Sequence, residues 1–365
     1  MTRAFNFSAG PATLPLTVLE QAQRDLVSLP GVGAGPLEVS HRGSWFGAVL
    51  AEAKANLRSL LAIPDTHHVV FCQGGATQQF AMVPLNLGKG PPAPDYVVTG
   101  AWGSKAMAEA SRLGDARVAW TDENEGFVRV PDDSELAEVT AADAAYLHVT
   151  TNETIHGVEF PVDPTVADDR PLVADMSSDL LSRPVDVARY GLIYAGAQKN
   201  AGPAGVTVAI VRDDLLGDIP DGLPTMLDYR TFVNHDSMLN TPPVFSIYVL
   251  MLVTRWLRDD VGGLEAQATR NRHDAALLYD EIDTSAGFYR GHARAGSRSL
   301  MNVTWRLPSD DLDHRFVVEA ADEGLVELKG HRSVGGIRAS IYNAMPREGV
   351  EALATFMRAF AQRNG

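Results

Sequence analysis

Tyr190-Gly-Leu-Ile-Tyr-Ala-Gly-Ala-Gln-Lys199-Asn-Ala-Gly-Pro-Ala-Gly205 is the stretch on which the reading of the fold turns. The apolar run Leu192, Ile193, Tyr194 and Ala195 reads as a strand. Val206-Thr-Val-Ala-Ile-Val211, rich in β-branched residues, reads as a second one. Lys199 then sits on a tight turn between two buried strands. Its Gly and Ala neighbours give its stem little bulk to pack against. In an apolar crevice the charged form of its amine is disfavoured, which suits an amine that attacks carbonyls. The competing reading is a surface lysine in a hairpin loop.

Working outward, Pro171-Leu-Val-Ala-Asp175-Met-Ser-Ser178 is an apolar strand that ends in a carboxylate. Such a carboxylate is costly in a buried position unless it meets a partner. Asp175 precedes Lys199 by 24 positions, enough for a short helix over 178–189 and a strand. A strand ending in Asp followed by a strand ending in Lys is the arrangement that a pyridoxal phosphate site needs. The Asp pairs with the pyridinium nitrogen and the Lys forms the Schiff base.

Further blocks carry a resemblance. They are Phe5-Asn-Phe-Ser-Ala-Gly-Pro-Ala12, Glu38-Val-Ser-His-Arg-Gly43, Gln73-Gly-Gly75, Asn152-Glu-Thr-Ile-His-Gly157, Ala174-Asp-Met-Ser-Ser178, Tyr194 to Gly205, Asn240-Thr-Pro-Pro243 and Lys329 to Pro346. With them, nearly the whole chain resembles the phosphoserine aminotransferases, fold-type-I pyridoxal phosphate enzymes of class V. The resemblance implies an α/β fold: a large domain with a mostly parallel sheet covered by helices, and a smaller C-terminal α/β domain. We place the large domain at 16–262 and the small one at 1–15 with 263–365.

The bulk numbers agree with an enzyme of this kind. The chain has 365 residues, enough for one large and one small domain. Hydrophobic content of 45% and charged content of 21% fit an ordinary globular chain. The net charge of −15 argues against nucleic acid or an anionic membrane as partner. The single cysteine, Cys72, excludes an internal disulfide framework, and no signal-peptide core or membrane-length apolar run stands out. A cytoplasmic location is the expectation.

Strands and helices alternate over 65–211, which predicts a largely parallel sheet with both faces covered. Expected elements include helices over 16–29, 45–61, 78–87, 245–258, 264–282, 312–323 and 347–362. Expected strands include 69–72, 95–100, 116–120, 126–130, 144–149, 299–306 and 336–341, with 213–243 irregular. In parallel sheets the ligand crevice lies beyond the carboxyl ends of the strands. Asp175, Trp102, Thr154 and the Gly74-Gly75 loop all fall at such ends. The strand, Gly-Gly and helix order at 69–87 is a phosphate cradle, in which glycines and a helix N-terminus offer free N–H groups.

The resemblance extends this. It implies that Ala76 and Thr77 hold the cofactor phosphate, that the Trp102 indole stacks on the pyridine ring, and that Thr154 reaches its phenolic oxygen. Gln198 is implied as a further cofactor contact. Asn240 and Thr241 are implied to reach across a homodimer interface to the other subunit's cofactor phosphate. Two His-Arg pairs, His41-Arg42 and His331-Arg332, sit in Gly-flanked loops, with Arg338 close behind the second. On their own these are surface charges. Arginine's planar fork nonetheless matches carboxylate and phosphate bidentately. The resemblance gives Arg338 the α-carboxylate and the two pairs the substrate phosphate.

The implied activity is amino transfer between O-phospho-L-serine and 2-oxoglutarate, giving 3-phosphohydroxypyruvate and L-glutamate, as in L-serine biosynthesis. Lys199 and Asp175 are the catalytic residues and the kinetics are ping-pong. A second substrate, 4-phosphohydroxy-L-threonine of pyridoxine biosynthesis, stays open. So does another pyridoxal phosphate-dependent aminotransferase or lyase of the same fold. Desulfuration, for instance, needs a cysteine on a mobile loop, whereas Cys72 lies in an expected strand.

Overall fold

The computed structural model describes residues 3–88, 90–139, 143–166 and 170–365. The chain opens with β1 (Phe5–Asn6), α1 (Leu16–Asp25) and α2 (Ser44–Leu61). Next come β2 (His67–Cys72), α3 (Gly75–Leu87), β3 (Asp95–Val98), α4 (Ala101–Leu113), β4 (Arg117–Thr121) and α5 (Asp133–Val139). β5 (Leu147–Thr150), β6 (Asn152–Glu153), β7 (Val158–Glu159), β8 (Leu172–Asp175), β9 (Leu192–Gly196) and β10 (Thr207–Arg212) follow. After α6 (Tyr229–Asn234), α7 (Val244–Trp256) and α8 (Leu264–Asp283) come β11 (Arg290–Gly291) and β12 (Asn302–Arg306). The chain closes with α9 (Asp310–Asp322), β13 (Leu325–Val326), β14 (Ile337–Ser340) and α10 (Arg347–Asn364).

Seven strands form the central sheet in the order β2-β10-β9-β8-β5-β3-β4. Only β10 runs against the others; the β5, β8, β9 and β3, β4 pairings are parallel. This is the α/β architecture read from the sequence. Because β10 is reversed, Lys199 lies in the loop of an antiparallel pair, with Gly196 opposite Thr207. The carboxyl ends of β2, β3, β5, β8 and β9 all meet at one edge, where Cys72 and Gly196 both pair with Thr207.

Side-chain alternation assigns the two faces. Val208 and Ile210 of β10, with Leu172 and Ala174 of β8, enter a core shared with Leu50, Leu57 and Leu250 of α2 and α7. Ala209, Val211 and Val173 enter the opposite core, with Phe80 of α3 and Ala106 of α4. Asp175 is two residues beyond Val173, so it points to the α3 and α4 side. A third core gathers Phe7, Leu278, Trp305, Phe316, Leu353 and Phe360 against the β11-β12-β14 sheet. β1 joins this region by parallel pairing with β13.

Three local expectations are corrected. No helix spans 178–189: the segment is turns with one 3-10 turn at Val187–Arg189. Ser178, Asp179 and Ser182 are all buried there, Ser178 Oγ donates to Asn152 O at 2.8 Å, and Asp179 accepts from Thr151 Oγ1 at 2.6 Å. Short polar side chains that bond elsewhere compete with the helix ladder. The strand expected at 126–130 is also absent. The N–H groups of Val128 and Arg129 donate instead to the Asp122 carboxylate, at 2.7 and 2.9 Å. Within the irregular region, Asp228 caps the short α6 by accepting from Arg230 N at 2.8 Å. Among the described residues no helix is long and apolar enough to cross a membrane.

Candidate active site

Asp175 is 4% exposed at the end of β8, and its Oδ1 accepts from Ser177 N at 2.9 Å. Burial raises its pKa, while Lys199 and Ser177 oppose the rise. Lys199 stands one strand over. Burial pulls its amine below the usual range, and Asp175 and then Glu153 pull the other way. A lysine whose charge is only partly compensated is poised to lose its proton. Its Nζ lies 5.0 Å from the centroid of the Trp102 ring. The N-terminal segment packs on the same turn: Ala12 N donates to Gln198 O at 2.9 Å.

Trp102 is the second residue of α4 and is fixed at both ends. Its Nε1–H donates to Thr154 Oγ1 at 2.9 Å and its backbone N–H to Glu153 Oε2 at 3.0 Å. Glu153 Oε1 accepts from Gly103 N at 2.7 Å, so one carboxylate covers the N-terminus of α4. A Cβ at Gly100 would lie 2.5 Å from Glu153 Cδ, so this contact requires glycine there. Burial pushes the Glu153 carboxyl up to about 7 against the two amide bonds. Thr154 accepts from Trp102 with its hydroxyl oxygen, which leaves the hydroxyl hydrogen for another partner. Its carbonyl accepts from Arg338 Nη1 at 3.2 Å.

At the Gly74-Gly75 turn both glycines have positive φ, 84° and 65°, and no side chain caps α3. Ala76 packs with Trp102 on the Phe80 and Tyr194 core, so the helix N-terminus and the indole lie on the Asp175 side of the sheet. His331 lies within electrostatic reach of Arg338, Lys105 and Arg332. Burial and these three cations push its pKa down, so it gains its proton only below the usual histidine range.

The structure thus brings together Asp175, Gln198, Lys199, Trp102, Thr154, Arg338 and His331. Within one chain, no hydrogen bond or ion pair among the described residues ties His41, Arg42, Asn240 or Thr241 to Lys199, Asp175 or Trp102. Arg42 and both Asn240 and Thr241 are exposed, while His41 Nε2 is buried without a partner. Arg332 is exposed beside His331.

Sequence reasoning passed over several residues. Glu153 was legible in the Asn152–Gly157 block only as a neighbour of Thr154. Lys105, whose Nζ is 4.1 Å from the Trp102 centroid, follows from the i, i+3 spacing on α4. Asn152 Nδ2 donates to Asn302 Oδ1 at 2.8 Å, and Asn302 Nδ2 to Ser340 Oγ at 2.8 Å. This buried relay joins the site to the three-stranded sheet and has no local sequence signal. Cys72 is fully buried in β2 and burial pushes its thiol well up, which removes it as a nucleophile.

A lysine and an aspartate at adjacent strand ends, faced by an indole and a glycine-started helix, define a fold-type-I aminotransferase site. Residues 4–353 match the model of the class-V aminotransferase family, and the chain belongs to that family. Within it, the chain is 55% identical over 361 residues to a phosphoserine aminotransferase of Laribacter hongkongensis, covering 99% of both chains. It superposes on a phosphoserine aminotransferase structure from Bacillus circulans subsp. alkalophilus with TM-score 0.96 and 51% identity, covering 100% of this chain and 99% of that one. A pyridoxal phosphate-bound phosphoserine aminotransferase from Trichomonas vaginalis matches with TM-score 0.91 and 38% identity, over 98% and 100% of the two chains.

Proposed function

We propose that the chain transfers the amino group of O-phospho-L-serine to 2-oxoglutarate, giving 3-phosphohydroxypyruvate and L-glutamate, with pyridoxal phosphate as cofactor. The observation that carries this reading is the convergence of Lys199, Asp175, Trp102 and Arg338 at one sheet edge.

The residues present fit the cofactor. Asp175 is a buried carboxylate with one backbone bond and suits a ring N–H. The uncapped α3 N-terminus with Ala76 and Thr77 suits a phosphate. Trp102 offers a flat face, Thr154 a free hydroxyl hydrogen, and Gln198 lies beside the lysine. When bound, the cofactor supplies a carbonyl for the amine and a conjugated ring that draws electrons from the substrate Cα–H bond.

The chain's own residues do the rest. Lys199 Nζ, whose charged form burial disfavours, would take the proton from the substrate Cα in the first half-reaction and supply one to Cα in the second. Asp175 would face the ring nitrogen and hold a proton there. Arg338, anchored through Thr154 O, turns its fork to the substrate carboxylate. His331 and Arg332 take the phosphate, completed by His41 and Arg42. Asn240 and Thr241 act from a second copy of the chain. Exposed Val27, Val32, Leu37 and Leu239 near these residues in sequence support a homodimer. We read 16–262 as the large domain, 1–15 with 263–365 as the small one, and the cytoplasm as the location.

The test is the visible absorption spectrum of the purified protein with pyridoxal phosphate. O-phospho-L-serine should bleach the band at low concentration and L-serine should not. Equal bleaching by both would remove the phosphate clamp, and absence of any band would remove the enzyme reading. Comparing rates on 4-phosphohydroxy-L-threonine decides the second substrate.

A further inference from the structure

The three-stranded sheet carries a charge pattern of which the transamination site uses only Arg338. In register, Arg290 of β11 stands opposite Arg306 of β12, and Thr304 of β12 opposite Arg338 of β14. Opposed residues of an antiparallel pair share a face, and so do residues two apart along a strand. Arg290, Arg306, Thr304 and Arg338 therefore all lie on one face. The other face carries Val303, Trp305, Ile337 and Ala339, which fill the third core.

Like charges directly opposite one another destabilise a strand pair. The face is nevertheless not closed by a packed helix. A cavity of about 270 Å³ lies over it, walled by Arg290, His292, Thr304, Arg306 and Arg338, with Gly330 and Gly335 on the loop side. Among the described residues no Asp or Glu lines it. Asp313 acts electrostatically on Arg306 and Arg290 from outside the cavity, but its Oδ1 already accepts from Leu307 N at 2.9 Å. The Arg306 guanidinium lies against the loop: a Cβ at Gly335 would be 3.4 Å from its Nη2. His292 Nε2 is engaged with the carbonyls of Gly126 and Phe127, each at 3.0 Å, so its ring serves as a wall. Of Arg338's donors, one is used on Thr154 O.

We propose that this cavity is a second anion site, which takes a small oxoanion of the phosphate class between Arg290, Arg306 and Arg338. The anion relieves the opposed-arginine repulsion and satisfies forked donors that no carboxylate of the cavity wall meets. Arg338 is common to this site and to the proposed carboxylate site. If the transaminase reading holds, on which this consequence rests, an anion here restrains Arg338 and opposes amino-acid binding.

The experiment uses the holoenzyme, inorganic phosphate as probe, and the variants Arg290→Gln, Arg306→Gln and Arg332→Gln. Calorimetric titration of the wild type should show two classes of phosphate site. Arg290→Gln and Arg306→Gln should each weaken one class about tenfold or more, leaving the other intact, while Arg332→Gln does the reverse. Without phosphate, either of the first two variants should melt at the wild-type temperature or above it, because a repulsion is removed. Phosphate should raise the wild-type melting temperature more than theirs. A single class of site lost only in Arg332→Gln, or melting shifts by phosphate that are equal in all proteins, would overturn the proposal. If the protein shows phosphate binding that depends on Arg290 but no phosphoserine-bleached band, the anion site stands and the transaminase reading falls.

Discussion

Two regions of the molecule handle charge in opposite ways. At the carboxyl ends of β8 and β9, Asp175 and Lys199 are held by a sheet whose strands are almost wholly buried. At the edge of the three-stranded sheet, Arg332 and Arg306 are exposed on or beside the glycine-punctuated 330–336 loop. In the first region desolvation dominates, and it moves Asp175 up and Lys199 down. In the second the charges keep their solvent. On the proposed function, the shifted proton belongs to the buried sheet, and recognition of the substrate phosphate to an exposed loop.

The largest effect that would break this comparison is loss of the lysine. Lys199→Ala should lower turnover on the order of 10⁴-fold, measured with phosphoserine and 2-oxoglutarate at saturation. Near wild-type turnover would show that the rigid edge is not the reacting centre. Next, Asp175→Asn should lower kcat roughly 10²- to 10³-fold with a far smaller change in KM. A change confined to KM would instead assign Asp175 to binding.

On the open side the effect should be smaller and fall on KM. Arg332→Gln is expected to raise KM for phosphoserine about tenfold, with little change in kcat. An equal rise for a substrate without phosphate would place Arg332 outside phosphate recognition.

The smallest effect is the pH dependence of stability. Burial raises Glu153 to about 7, Asp179 to about 6 and Glu159 to about 8, from ordinary values of 4.5, 3.8 and 4.5. Between those ordinary and folded values the folded chain binds protons that the unfolded chain has released. Buried His148 and His156, pushed down from 6.5 to about 3 and about 4, act the other way below about 6.5, so stability should fall as pH rises from about 6.5 to about 8. The urea midpoint at pH 6.5 should exceed that at pH 8, and Glu153→Gln should flatten the curve near pH 7. A midpoint that climbs over this range would mean that the amide and arginine partners outweigh burial.

Much of the rigid region was legible in the sequence. The β-branched runs around Lys199 and the strand ending in Asp175 state their own structure, since buried parallel strands read as continuous apolar runs bounded by small residues. The convergence of Trp102, Thr154 and the Gly74-Gly75 turn followed from the strand-end rule. What stayed hidden is long-range polar bonding. Asp122 drew the Val128 and Arg129 amides away from an expected strand, and Ser178 and Asp179 bonded across to the 151–152 loop instead of forming a helix. Glu153 looked like one charge in a loop, and only the fold shows it seated under α4. The opposed arginines were invisible because register is a property of two strands, not of one.

The reversal of β10 has a consequence for how the molecule assembles. β9 and β10 are joined directly, so the turn bearing Lys199 closes within residues 192–212. Asp175 and Thr150, by contrast, pair in parallel across a crossover of more than twenty residues. Loop-closure entropy grows with the chain enclosed, and local hairpins form far faster than non-local pairings. The lysine turn therefore encloses a shorter stretch of chain than the pairing that brings up the carboxylate.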